Sequence, residues 1–298
     1  MTASYVLSML VSGLKLGSIY AIVAIGYSIV YGILRLINFA HGDIMTVGVY
    51  LVLVLMNSLG VPVVACIVIS VGFSVIVGLL IERLAYRPLR DSTEETTLIS
   101  SLAVSSLLQN LLQMVFGSQR KPFLLPNWLT QSHKLGAVSL STINILTFII
   151  TAVFLIALYF ILTRTKIGMA MRACSENMNA ARLMGINVNR VVMFAFAIGS
   201  GMAVIAGVLL AGEYKTIYPT LGFVPGLKAF CAAVVGGIGS TGGAVAGAFI
   251  IGLAEMLFAG LMPASVTAYR DAFVFLLMVI VLLFRPNGLF GHAEGGRS

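Results

Sequence analysis

Residues 44–81 read IMTVGVYLVLVLMNSLGVPVVACIVISVGFSVIVGLLI, a run of 38 residues without a charged side chain. A helix needs about 20 apolar residues to cross about 30 Å of hydrocarbon, so the run is long enough for two membrane-spanning helices. The turn-forming cluster Asn57-Ser-Leu-Gly-Val-Pro62 lies near its middle. Because such clusters interrupt helices, the run predicts a helical hairpin within a bilayer.

The rest of the chain has the same apolar character. Of its 298 residues, 59 % are apolar and only 9 % are charged, whereas soluble domains average about 25 % charged residues. This composition excludes a soluble enzyme, a disordered chain and a disulfide scaffold, and the unbroken apolar runs exclude an alternating β-barrel. We therefore expect an all-α fold, a polytopic integral membrane helical bundle with about 8–9 transmembrane segments, re-entrant or broken helices among them.

Charged residues divide the remainder of the chain into further candidate spans. They are residues 16–34 with an upstream extension from Tyr5, 96–119, 143–162, 191–212, 229–254 and 256–284. The stretch 229–254 is long enough for one span or for a broken pair. The last stretch is interrupted by the adjacent charges Arg270 and Asp271.

Two basic loops set the expected orientation. Residues 82–95 and 164–190 together hold eight of the 18 Lys and Arg residues and lie two spans apart. Because basic loops remain on the cytoplasmic side, both are expected there, with the N-terminus outside. We interpret residues 1–298 as a single transmembrane domain whose cytoplasmic loop covers about 164–190.

The second loop contains a segment that is too polar to span the membrane. Residues 168–185 are rich in Ala, Met, Leu and Arg, which favour a helix, and Gly185 is a natural C-terminal stop. Spacing alone leaves two interpretations open: a docking surface for another protein, or a basic helix lying on anionic lipid.

At this loop a family resemblance becomes specific. Thr165-Lys-Ile-Gly-Met-Ala-Met-Arg-Ala-Cys174, with Ala181-Arg-Leu-Met-Gly-Ile-Asn-Val-Asn-Arg190, resembles the cytoplasmic loop of branched-chain amino acid ABC transporter permeases. Other segments agree: Gly17-Ser-Ile-Tyr-Ala21, Tyr31-Gly-Ile-Leu-Arg-Leu-Ile-Asn-Phe-Ala-His-Gly-Asp43, Glu82-Arg-Leu-Ala-Tyr-Arg-Pro-Leu-Arg90, Gly222-Phe-Val-Pro-Gly-Leu-Lys-Ala-Phe230, Gly236-Gly-Ile-Gly-Ser240 and Phe284-Arg-Pro-Asn-Gly-Leu-Phe-Gly291. The chain is similar to the shorter, H-type permease of the high-affinity leucine/isoleucine/valine system.

The resemblance implies a transport function without catalysis in this chain. It implies a second permease subunit, two cytoplasmic ABC ATPases that bind ATP and Mg²⁺, and an extracytoplasmic substrate-binding protein. The location implied is the bacterial cytoplasmic (inner) membrane, where the lipid bilayer surrounds the protein. Nucleic acid is not an expected partner. No cofactor is expected in this chain. The resemblance assigns ATPase coupling to Arg172, Ala173, Glu176, Arg182 and Gly185.

Polar residues within apolar stretches are candidates for a translocation path. A charge at the membrane centre costs about 2.5–3.5 kcal/mol on insertion scales, so such residues tend to be functional. Asn38, His41 and Asp43 fit a path-lining helix break; the alternative is a short interfacial loop with His41 and Asp43 in water. Glu255 fits either the path or a structural bond to a neighbouring helix. Lys228 is expected to flank an external loop.

Glycines at intervals of four suggest close helix packing. Gly239, Gly243 and Gly247 would line one face of a helix, the small-xxx-small pattern of membrane proteins. The formal dinucleotide pattern that begins at Gly237 lacks a surrounding βαβ unit. No catalytic constellation and no metal site are expected. Two alternative functions remain: a urea or short-amide ABC permease, and an ion-coupled secondary transporter.

Overall fold

The computed structural model describes residues 3–90, 92–135 and 138–290, which fold mainly into helices. In chain order the helices are α1 (Ala3–Leu34), α2 (His41–Leu59), α3 (Val63–Ile81), α4 (Glu94–Phe116), α5 (Asn127–Thr130), α6 (Thr142–Arg164), α7 (Lys166–Glu176), α8 (Met178–Leu183), α9 (Val188–Tyr214), α10 (Phe223–Gly236), α11 (Thr241–Leu261), α12 (Ala264–Thr267) and α13 (Arg270–Phe284).

The expected polytopic bundle is confirmed. Among the described residues, seven helices are long and apolar enough to cross a membrane, namely α1–α4, α6, α9 and α11. The shorter apolar helices α10 and α13, of 14 and 15 residues, complete the bundle. Together they fit the expected range of spans.

Two expected breaks coincide with local breaker residues. The α2–α3 hairpin turns at Gly60, whose φ of 60° ends α2, and Pro62 immediately precedes α3. Such a left-handed conformation favours glycine because it has no Cβ. The stretch 229–254 is a broken pair: α10 ends at Gly236, and Gly237, with φ 107°, leads out of the helix.

Helix α1 lies at the centre of the bundle and packs on α6, α9, α10 and α11. Its contact with α11 is backbone-close, since a Cβ added at Gly13 or Gly17 would lie 2.9 Å from the Cα of Leu253 or Phe249. Few residues of α4 and α6 are buried within the chain. Their apolar outer faces are therefore available to lipid or to another subunit.

Short strands order the loops opposite the basic segments. Strand β1 (Lys121–Pro122) pairs antiparallel with β4 (Thr216–Ile217), and β2 (Ser132–Leu135) pairs with β3 (Val138–Ser141). Lys215, with φ 54°, ends α9 and directs the chain into β4. The last residue of the tail motif, Gly291, lies outside the described residues.

Two sequence expectations about helices are wrong. Residues 168–185 do not form one helix, because Asn177 takes an extended conformation (φ −155°, ψ 105°) between α7 and α8. Gly239 does not share a helix face with Gly243 and Gly247, because it precedes α11 and has a φ of 88°. In both cases a turn-forming side chain or glycine overrides the helical preference of its neighbours.

Candidate functional site

The connection between α1 and α2 folds back into the bundle. A Cβ added at Gly26 of α1 would lie 2.6 Å from Nε2 of His41, and the two rings of Tyr27 and His41 meet edge-on with centroids 4.7 Å apart. Gly26 lies eight residues before the end of α1, about 12 Å along the helix. Helix α2 therefore begins inside the bundle, and the expectation that His41 and Asp43 lie in water is wrong, because both are buried.

Asp43, the acidic residue of this break, is fully buried. The Ser105 hydroxyl and, at 3.0 Å, the amide Nε2 of Gln109 donate to its two carboxylate oxygens. Both donors lie on α4, one helical turn apart. A Ser and a Gln at positions i and i+4 share one helix face, and this spacing was the sequence signal that they could bind the same group. No ion pair involves Asp43 in the part of the chain that the structure describes.

Asn38 ties the break to the end of α3. After Ile81 the helix continues as a π-helical turn, Glu82–Tyr86, and the Tyr86 hydroxyl donates to Oδ1 of Asn38 at 2.9 Å. Both side chains are buried. A buried hydrogen bond thus connects the helix break with the basic loop that follows α3.

Glu255 belongs to a second buried cluster. Its Oε1 lies 2.6 Å from Nζ of Lys228, and its Oε2 accepts a 3.0 Å hydrogen bond from the Tyr20 hydroxyl. The same Lys228 ammonium lies 2.6 Å from Oδ1 of Asp271, which is half-exposed at the start of α13. Arg270 extends the cluster, with Nε 3.9 Å from Glu255.

The placement of Lys228 corrects its expected position beside an external loop. It is buried in α10, because the half-helix begins inside the bundle and carries Lys228 with it. Gly222, immediately before α10, stands against Gly42: a Cβ there would lie 1.8 Å from the Gly42 carbonyl oxygen. Sequence reasoning missed Lys228, Tyr20 and Asp271 as partners of Glu255.

The two remaining packing glycines bring α10 and α11 into backbone contact. A Cβ at Gly243 would lie 2.4 Å from the carbonyl oxygen of Gly236, and one at Gly247 would lie 2.0 Å from that of Ala232. Neither position has room for a side chain. The contact holds the half-helix α10 against α11, which carries Glu255.

The segment with the coupling residues is rigidly attached to the bundle. Gly168 of α7 packs on the end of α6, since a Cβ there would lie 2.2 Å from the carbonyl oxygen of Ile161. Met171 and Cys174 lie on the buried face of α7, and burial raises the pKa of the Cys174 thiol. Such a thiol is a packing group rather than a nucleophile.

The outward face of this segment carries the residues assigned to coupling. Arg172 and Glu176 on α7, Arg182 on α8 and Gly185 after it are exposed, and Ala173 is half-buried. Gly185, with φ 80°, is the helix stop that its position indicates, because the Ile186 amide donates to Ala181 across the turn. Leu183 and Met184 are exposed by 90 % and 82 %.

The preceding basic loop packs against α9. Arg90 forms an ion pair with Glu82 and donates to Oδ1 of Asn189 at 2.7 Å. Burial lowers the pKa of Arg90, and the adjacent Glu82 opposes that shift. An arginine stays charged after such a shift because its pKa lies so far above neutral. The hydrogen bond from Arg90 to Asn189 joins the two basic loops on one side of the bundle.

A multi-pass bundle with a helix break and a half-helix inside it, each bearing buried polar groups, is typical of membrane transport proteins. The model of the family "Branched-chain amino acid transport system / permease component" matches residues 9–282. The chain belongs to this family of permease components of branched-chain amino acid transport systems.

Curated relatives match along nearly the whole chain. The high-affinity branched-chain amino acid transport system permease protein BraD of Pseudomonas aeruginosa is 39 % identical over 97 % of this chain and 96 % of its own. The permease protein LivH of Escherichia coli K12 is 38 % identical over 97 % of both chains. The solved structure of PsaBC from Streptococcus pneumoniae with a Fab has 13 % identity and a TM-score of 0.48, covering 95 % of this chain and 91 % of that chain, a likeness too slight to bear on function.

Proposed function

We propose that this chain is one of two transmembrane subunits of an ATP-driven importer that moves branched-chain or other hydrophobic amino acids across the bacterial cytoplasmic membrane. The observation that carries the proposal is the 38–39 % identity, over 97 % of the chain, to permease proteins of branched-chain amino acid transport. These relatives do not favour the urea or the ion-coupled alternative, which we set aside.

In this proposal energy comes from outside the chain. The sequence has no Gly-x-x-x-x-Gly-Lys-Ser/Thr phosphate loop, so two cytoplasmic ATPases bind ATP and Mg²⁺, and this chain needs no cofactor of its own. A second permease subunit completes the path, and an extracytoplasmic protein delivers the substrate. The whole chain acts as a single transmembrane domain.

The α7–α8 segment is the proposed coupling element. Its attachment through Gly168 and Met171 means that a push on α7 is transmitted to α6 and α1 rather than absorbed by a loose loop. Exposed Leu183 and Met184, together with the charges of Arg172, Glu176 and Arg182, give an apolar centre with a charged rim. That composition suits a groove of a partner protein.

The helix break at Asn38, His41 and Asp43 is the proposed moving part of the path. Asp43 is held by α4, and the other side of α4 is exposed and available to the second subunit. A displacement of α4 against that subunit therefore acts directly on the break. Glu255, held between α1 and α10, is the corresponding polar group on the other side of the half-helix.

The test reconstitutes the subunits in liposomes and follows uptake of labelled leucine, isoleucine, valine and urea. The complete set with ATP should import the branched-chain amino acids, whereas this chain alone should not. Arg172→Glu should release the ATPase while the membrane subunits remain associated. Import by this chain alone under an ion gradient, or unchanged ATPase co-purification, would contradict the proposal.

A further inference from the structure

A lateral groove lies between α6 and α11, with α1 as its floor and α7 at one end. Its volume is about 550 Å³, and most of its lining is apolar, with Ile29, Leu158 and Val245 contributed by the floor and the two walls. Tyr159 on its rim is 70 % exposed. The groove therefore faces outward from the bundle, on the surface that surrounding lipid can reach.

The end beside α7 is electropositive. Arg172 lines it, and within the described part of the chain its guanidinium makes no hydrogen bond or ion pair, while its carbonyl oxygen accepts from the Ser175 hydroxyl. Ser240 and Thr241 line the same end, where the 21-residue helix α11 begins. The Ser240 hydroxyl already accepts from the Gly243 amide at 3.1 Å, and the positive dipole end of the helix adds to the Arg172 charge, so this end of the groove attracts an anion.

A buried hydroxyl marks a second polar position deeper in the groove. Ser28 is 1 % exposed and lines the groove, and its Oγ has no hydrogen-bond partner within the described chain. It lies one turn of α1 above Gly32, whose added Cβ would be 3.7 Å from Gly239 beside Ser240. The hydroxyl is thus about 6 Å deeper than the electropositive end.

We propose that this groove binds an anionic phospholipid of the cytoplasmic leaflet. The phosphate lies between Arg172 and the start of α11, an ester carbonyl accepts a hydrogen bond from Ser28, and an acyl chain follows the apolar floor. The positive charge at one end of the groove complements the lipid phosphate, and the apolar floor complements an acyl chain. Free phosphate would make no contact with the floor. The assignment to the cytoplasmic leaflet rests on the orientation proposed above, whereas the location of the site in the fold does not depend on it.

Bound in this way, the lipid connects α7 to α1 and α11. Its phosphate would restrain the exposed Arg172 side chain of the proposed coupling element, so occupancy would stiffen that element. This role differs from contact with an ATPase, because Ser28 and Val245 lie beneath α7 and belong to no docking surface.

The test measures phospholipid retained by the purified full-length protein after transfer from mixed phosphatidylglycerol and phosphatidylcholine nanodiscs into detergent. Wild type should retain phosphatidylglycerol selectively. Arg172→Gln should reduce its retention about tenfold, the loss of one charge-assisted hydrogen bond. Val245→Trp, which fills the apolar groove from its α11 wall and leaves Arg172 intact, should reduce it as well. Arg182→Gln, a matched cation on α8, should not.

Two further arms separate other occupants. Added inorganic phosphate should not displace the lipid, and a photo-crosslinking residue at position 245, in the assembled transporter, should label lipid. Equal retention of both lipids, normal retention by Arg172→Gln or Val245→Trp, displacement by phosphate, or crosslinks to another polypeptide would each overturn the proposal. None of these readouts uses the ATPase or transport, so they fail independently of the proposed function.

Discussion

Nζ of Lys228 lies 2.6 Å from Oε1 of Glu255, and both side chains are buried at the contact of α10 with α11. The pair is not isolated, since Tyr20 of α1 and Asp271 of α13 bond to it from two further helices. Four helices therefore meet at one charge-neutralised point, and the half-helix α10 is held there although it is too short to span the membrane.

Lys228→Met should destabilise the protein strongly, because it removes the close cation of the buried Glu255 and leaves only the half-exposed Arg270, whose Nε lies 3.9 Å away. Loss of one partner of a buried pair costs about 3–5 kcal/mol. Unfolding in mixed detergent–SDS micelles would measure it. Lys15→Met is the control, since the Lys15–Glu213 pair is partly exposed and such pairs contribute about 0–1 kcal/mol. Similar losses for both variants would contradict the ion cluster.

The double variant Lys228→Met/Glu255→Met should recover part of the lost stability, because no unpaired charge then remains in the cluster centre. If the second substitution adds a full independent loss instead, the two residues are not energetically coupled.

Gly247→Ala should weaken the packing of α10 on α11. The added methyl group would lie 2.0 Å from the Ala232 carbonyl oxygen, which belongs to backbone and has no rotamer to change. Overpacking of this kind costs about 1–3 kcal/mol. The control is Gly242→Ala in the same helix, where nothing lies within 4 Å of the added atom. Thermal unfolding of both variants in one detergent checks the contrast.

Gln109→Leu should destabilise the α2–α4 contact, because a buried oxygen of Asp43 loses its donor. Leaving a buried acceptor unsatisfied costs about 1–3 kcal/mol. Asn110→Leu is the matched control: Asn110 is exposed and bonds only within α4, to Ser106. An equal shift in the unfolding midpoint of the two variants would argue against the Asp43 contact.

Asn177→Ala should loosen α8 without unfolding the bundle. The Asn177 Oδ1 accepts hydrogen bonds from the amides of Asn179 and Ala180, both at 3.0 Å. Loss of such an N-cap costs about 0.5–2 kcal/mol. Hydrogen exchange should accelerate in residues 178–184 and stay unchanged in α9. Unaltered exchange in α8 would mean that other contacts order it.

Local patterns predicted the helices well because hydropathy and helix breakers act over a few residues. The turn at Gly60 and Pro62 and the stop at Gly185 were visible in this way. The same logic failed at Asn177 and Gly239, where a run of good helix formers surrounds a residue that caps or turns the chain. Capping depends on one side chain, which a composition average does not register.

The buried polar contacts were less accessible. The sequence singled out Glu255, but it placed the partner Lys228 beside a loop. For Asp43 it left two alternatives open, a path-lining helix break and an interfacial loop. Their partners come from α1, α4, α10 and α13, far apart in the chain. Residue type indicates that a buried charge needs a partner, and only packing decides which one it receives.

The amino-acid sequence alone indicated that this protein spans a bilayer, where several of its helices end and which family it resembles, because these follow from apolar run lengths, turn residues and motifs. The tertiary structure decided that α2 and α10 begin inside the bundle, which charges neutralise each other, and that a groove with one cation and one orphaned hydroxyl opens beside α7. The reason is physical: burial and pairing depend on distances between segments that are remote in sequence.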